Sequence, residues 1–124
     1  SDVYKRQSCS PSHPTPILQI HGLRDVVVPY NGLSYIESIP KVMQYWSEYN
    51  SCDLEPEILI VDNFDDDYSI NFETYMNCLN NINIKLILHS TMGHTWPMTN
   101  NYGLSASNEI WDFVSQYDIY GKIN

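Results

Sequence analysis

The chain has 124 residues, with six Lys and Arg against fifteen Asp and Glu, so its formal net charge is −9 at pH 7; that length suits one domain, and that acidity without a basic stripe excludes a nucleic acid partner. Its longest apolar runs, Val26-Val27-Val28 and Ile58-Leu59-Ile60-Val61, are far shorter than the ~20 residues of a membrane-spanning helix, so no membrane partner is expected. At 43% hydrophobic and 17% charged, the composition is that of a folding chain and not of a disordered one.

Residues 1–7 have neither the apolar stretch nor the cleavage site of a secretory signal, and Asp2-Val3-Tyr4-Lys5-Arg6-Gln7 reads as the translation of a sequencing-library adapter. They are set aside as non-native, which leaves 8–124 as the portion to be read for fold. Pro11, Pro14 and Pro16 give 8–16 a linker character, and Ile17 to Gly22 reads as a short buried strand ended by a glycine turn. After a loop from Leu23 to Gly32, the apolar residues Ile36, Ile39, Val42, Met43, Trp46 and Tyr49 recur at three- and four-residue steps, which predicts an amphipathic helix. Pro40 sets its start, because proline is tolerated in a first turn.

Glu57 to Val61 reads as a second strand, and Asp62 to Asp67 as a solvated acidic turn. Ile70, Phe72, Thr74 and Met76 then alternate on one face, and Ile82, Ile84, Leu86 and Leu88 on another, which predicts a β-hairpin across Cys78-Leu79-Asn80-Asn81, with a helix over 70–79 as the competing reading. Thr91 to Gly103 reads as a loop, and Leu104 to Tyr117 as a helix through Ile110, Trp111, Phe113 and Val114. This order predicts an α/β layer architecture with helices packed on a sheet. Ligands of such sheets bind beyond the carboxyl ends of strands, so the chemistry is sought in Gly22 to Tyr30 and Thr91 to Pro97.

The first of these loops holds Asp25, three residues past the strand-ending glycine, and the second holds His94, directly after Gly93. An acid and a histidine at two strand ends suit the orienting acid and general base of a hydrolytic triad, and acid before histidine follows the order nucleophile, acid, histidine. Such a base contributes about 10²- to 10⁴-fold to rate when a nucleophile stands within hydrogen-bond reach. The chain contains no Gly-x-Ser-x-Gly; Ser34 and Ser105 match half of it and follow Asp25, so both are rejected as nucleophiles.

The three cysteines show no Cys-x-x-Cys spacing, so no metal or redox site is expected. Closing Cys52 to Cys78 would contribute about 3 to 4 kcal/mol in the loop-entropy model, which makes them the expected disulfide and leaves Cys9 over. His21, at a strand end, reads as a hydrogen-bonded structural histidine, and His13 and His89 as surface or strand residues. Trp96 is a candidate for the wall of a substrate pocket, with packing of the His94 loop as the competing role. The acidic turn places Asp62, Asp66 and Glu73 as in a calcium loop, but Asp67 stands where that loop needs glycine.

Ile20-His21-Gly22-x-x-Asp25-x-x-Val28-Pro29-Tyr30, a following helix with Trp46, then Cys52 and Cys78, and finally Gly93-His94-Thr95-Trp96-Pro97 together resemble the polyhydroxybutyrate depolymerase and feruloyl esterase family, from about Cys9 to Tyr117. The resemblance implies the C-terminal part of an α/β-hydrolase fold, residues 8–124 being a fragment whose N-terminal half, with the serine, lies upstream. It implies a secreted serine esterase with Asp25 and His94 as catalytic acid and base, Cys52 and Cys78 matching a family disulfide, and no cofactor. The implied substrate is a polysaccharide-linked feruloyl or other acyl ester, or a polyester. Met92 and Met98, where relatives often carry glycine, and the long acidic turn depart from the family pattern. Two other expectations stand beside this one: a non-catalytic glycan- or polymer-binding domain derived from that fold, and a piece whose unpaired sheet edge keeps it from being stable alone.

Overall fold

The computed structural model describes residues 14–63, 65–118 and 121–123. The adapter-like residues, Cys9 and His13 lie outside them. In chain order the elements are β1 (Ile17–Gly22), α1 (Ile39–Tyr49), β2 (Glu57–Asn63), β3 (Tyr68–Tyr75), a 3₁₀ turn (Leu79–Asn81), β4 (Ile84–His89), α2 (Thr99–Tyr102), α3 (Ala106–Val114), β5 (Tyr117–Asp118) and β6 (Gly121–Lys122).

β4 organises the fold because its apolar residues fill both faces of the sheet. Ile84, Leu86 and Leu88 pack with Ile39 and Met43 of α1 on one face, while Ile87 packs with Ile70 and Leu104 on the other. A strand buried on both sides reads as a near-continuous apolar run, as Ile84-Lys85-Leu86-Ile87-Leu88 does. The sheet order is β1-β4-β3-β2. β1 runs parallel to β4, and the pairs β3–β4 and β2–β3 are antiparallel.

α1 starts where Ser38 caps it, the hydroxyl accepting from Lys41 N–H at 3.3 Å, with Pro40 in the first turn. Asn50 ends it. Its fully buried side chain donates to the Trp46 carbonyl at 2.8 Å and accepts from Thr15 N–H at 2.7 Å, tying the helix end to the segment before β1. Just beyond, Cys52 and Cys78 are disulfide-bonded across a separation of 26 residues, joining the end of α1 to the turn that leads into β4.

The expected architecture, helices packed on a partial sheet as in the C-terminal part of an α/β-hydrolase fold, is corrected here. The described chain is a small mixed sheet of four strands with three short helices, and the sheet dominates. The reason lies in the connections. Asn63 to Tyr68 and Tyr75 to Ile84 are too short for a crossover helix, so the strands they join turn back antiparallel, and β1–β4 is left as the one parallel pair of that sheet. The helix expected from Leu104 to Tyr117 is Ala106–Val114, capped by Ser105, and its expected last residue instead begins β5. The apolar run Ile58 to Val61 is a strand as expected, but it forms the sheet edge and all four side chains are exposed.

Candidate functional site

β1 and β4 are parallel neighbours with His21 opposite Leu88 and Gly22 opposite His89, so both chains leave the sheet at the same end. The two loops that follow are bonded to each other: Leu23 N–H donates to the His89 carbonyl at 3.0 Å, and Arg24 N–H to the Met92 carbonyl at 3.0 Å. Gly22 makes this approach possible, since a Cβ there would collide with the Met92 carbonyl and crowd that of Gly93. In this way residues 69 positions apart meet, and His94 Nδ1 lies 2.8 Å from Asp25 Oδ2.

Asp25 is buried, and its carboxylate is supplied with donors on both oxygens. Oδ1 accepts from Val27 N–H at 2.9 Å and Val28 N–H at 2.8 Å, while Oδ2 accepts from His94. Burial alone would raise the carboxyl pKa, but the hydrogen bonds from Val28, His94 and Val27 and the charge on His94 outweigh it and hold Asp25 below its ordinary 3.8. The acid is therefore ionised at neutral pH and fixes the proton of His94 on Nδ1. Nε2 is then the basic nitrogen, without a hydrogen-bond partner among the described residues, on a side chain that is 56% exposed. It faces the requirement of a general base, an available lone pair on an oriented ring.

These residues line a cleft of about 530 Å³ together with Gln19, His21, Met92, Thr95 and Trp96. Trp96 is 55% exposed in its wall, where it offers an aromatic surface beside His94. His21, read as structural, is buried and hydrogen-bonded, its Nε2 lying 2.7 Å from the Val28 carbonyl. His89 is fully buried between Tyr68 and Tyr102. Its Nδ1 accepts from Thr91 N–H at 3.2 Å, so Nε2 carries the proton that goes to the Tyr102 carbonyl at 3.1 Å. Burial pushes the His89 pKa down, against the opposing effect of that carbonyl, and the neutral ring braces the start of the His94 loop.

No hydroxyl or thiol among the described residues is hydrogen-bonded to His94. Ser105 caps α3 by accepting from Asn108 N–H at 3.2 Å, and Ser34 sits in the loop closed by the Leu33–Ile36 bridge, so neither serves His94. Asp25 and His94 stand out in the sequence by type and order, but the Val27 and Val28 amides do not. A backbone donor carries no residue-type signature. The signal available was the short distance from Asp25 to Val27-Val28-Pro29, which suits an Asp side chain closing its own turn.

No protein-family model matches the chain. The chain is similar to feruloyl esterase B of Piromyces equi, with 29% identity over 121 residues that cover 90% of this chain and 20% of the esterase. It therefore spans about a fifth of the length of the relative it matches. The similarity is to an esterase, and the Cys52–Cys78 disulfide is in keeping with an extracellular protein. No described helix is long and apolar enough to cross a membrane.

Proposed function

We propose that this chain supplies the acid and base of a serine esterase triad, Asp25 and His94, and that the serine belongs to a part of the protein upstream of residues 8–124. The observation that carries the reading is the 2.8 Å contact of His94 Nδ1 with a buried, triply hydrogen-bonded Asp25 carboxylate at the mouth of an open cleft. A solvated turn residue would not be buried and satisfied in that way. In this reaction the serine oxygen attacks the ester carbonyl and its proton passes to His94 Nε2. The imidazolium is stabilised by Asp25 and returns the proton to the leaving alcohol oxygen. Water then repeats the sequence on the acyl-enzyme and releases the acid.

The similarity to a feruloyl esterase supports a carboxylic ester as substrate, and we favour a secreted enzyme acting on a polysaccharide-linked feruloyl or other acyl ester, or on a polyester. Exposed Trp96 beside His94 is suited to lie against an aromatic acyl group. The test is to extend the reading frame upstream of the Ser8 codon and assay the longer protein on methyl ferulate. A Gly-x-Ser-x-Gly in the added sequence is expected, with turnover that falls by roughly 10⁴-fold or more in Asp25→Asn and in His94→Ala. Full activity in His94→Ala would overturn the reading, and binding to insoluble polymer that survives both substitutions would point to a binding domain instead.

A further inference from the structure

The tip of the loop that carries Asp25 has little packing to hold it, although Tyr30 farther along packs against the core. Val26 and Val27, at that tip, are 86% and 57% exposed. There the conformation rests on hydrogen bonds: besides the ties of Leu23, Arg24 and Asp25 to the end of β4 and the His94 loop, one comes from His21 in β1. A carbonyl can only accept, so the 2.7 Å contact of His21 Nε2 with the Val28 oxygen puts a proton on that nitrogen. Val28 is thereby held on both sides, its N–H by Asp25 Oδ1 and its carbonyl by His21. The same ring nitrogen lies 3.9 Å from Asp25 Oδ2, too far for a hydrogen bond but near enough to compete for that oxygen if the Val28 carbonyl were lost.

We propose that His21 is a positioning residue for the Asp25–His94 pair: by donating to the Val28 carbonyl it aims the Val27 and Val28 N–H groups at Oδ1 and keeps its own donor off Oδ2, which is left to His94. The catalytic meaning rests on the esterase reading above, but the positioning itself does not. Because β1 is part of the sheet, His21 transmits the rigidity of β1 and β4 to the exposed turn at Val26 and Val27. Pro29 adds to this by restricting Val28 to extended backbone.

The test uses this chain, with His21→Phe, which removes the donor, and His21→Gln, which keeps a side-chain N–H. Three NMR readings report on the pair: exchange of the Val27 and Val28 amides, the carbon-detected titration of the Asp25 carboxyl, and the low-field His94 Nδ1–H signal. In His21→Phe the two amides should exchange at least tenfold faster, the Asp25 carboxyl should titrate closer to its ordinary value, and the low-field signal should be lost; His21→Gln should recover part of each. Unchanged readings in His21→Phe would overturn the proposal. Should that variant fail to fold, the wild-type protein decides, because scalar coupling across the His21 Nε2–H to Val28 carbonyl bond is required and its absence overturns the proposal. In the extended esterase, His21→Phe should lower kcat at least tenfold with KM little changed. An active His94→Ala enzyme would remove the triad reading and leave the NMR result standing, whereas intact NMR signatures in His21→Phe beside an inactive His94→Ala enzyme would remove the positioning role alone.

Discussion

Gly22 lies against the Met92 carbonyl so closely that no side chain can stand at that position, and this contact is what brings the Asp25 loop and the His94 loop into register. The bond from Arg24 N–H to the same carbonyl, at 3.0 Å, depends on it. Gly22→Ala must push the two strand ends apart. We expect it to destabilise the protein by about 2 kcal/mol or more, toward the upper range of overpacking, because the obstacle is the Met92 backbone and cannot rotate away. Urea unfolding should show the loss, and the low-field Nδ1–H signal of His94 should weaken even in conditions where the variant remains folded.

Acid sensitivity should come in two stages, set by two groups whose folded pKa lies below the ordinary value. His89 is buried in its neutral form, so its contribution is complete above 6.5 and is lost as pH falls from there toward its lowered folded value. Asp25 follows at lower pH: its contribution is present above 3.8 and is lost as pH falls through its own lowered value. Glu73 acts the other way. Burial raises its pKa above 4.5, so it favours the fold at low pH and that contribution is lost as pH rises through the folded value. Stability followed by denaturation from pH 8 to pH 3 should therefore fall less steeply below pH 6.5 in His89→Gln than in wild type, and Glu73→Gln should be more stable than wild type at pH 7. A His89→Gln profile parallel to wild type would show that ring protonation is not coupled to unfolding.

Reduction of Cys52–Cys78 releases a loop of 26 residues, for which the chain-entropy model gives about 3 to 4 kcal/mol. Both ends of that loop keep other ties, Leu79 N–H to the Asn50 carbonyl and Asp53 N–H to the Met76 carbonyl, each 2.9 Å. The reduced protein should therefore lose stability without losing its native sheet. Chemical unfolding of the Cys52→Ser, Cys78→Ser double variant should give a lower midpoint with far-ultraviolet dichroism close to wild type.

How much of this was legible in the sequence depends on what each residue contacts. β1, α1 and β4 were read because their apolar residues face the core and so leave a period of two or of three to four. The antiparallel β3–β4 hairpin was legible in its alternation, but the parallel β1–β4 pairing and the antiparallel β2–β3 pairing were not, since strand direction is decided by connection lengths and partners, and the expected α/β-hydrolase portion gave way to a sheet-dominated fold on that point. α2 and the β5–β6 pair are too short to show any period. Asp25 and His94 were singled out by type and order, while the contact between them follows from the parallel β1–β4 pairing, which no local pattern contains. The role of Gly22 and the His21–Val28 bond depend on that same pairing and on a turn closed by backbone groups.

Ile58 to Val61 illustrates the opposite case, a run whose strand character was plain but whose surroundings were not. β2 pairs with β3 on one side, while its other edge is free in the described sheet, and Ile58, Leu59, Ile60 and Val61 are each 46% to 62% exposed. An apolar edge strand without Pro, Lys or a bulge is a template for pairing with another chain. Glu57 and Asp62 at its ends oppose self-pairing by like charge, and that opposition is screened by salt. The isolated chain should therefore self-associate more at high ionic strength than at low. Ile60→Lys should suppress this at little cost in stability, because the side chain it replaces is already 55% exposed. Light scattering across a salt series checks both statements: scattering that falls with added salt, or is the same in Ile60→Lys, would locate the association elsewhere on the molecule.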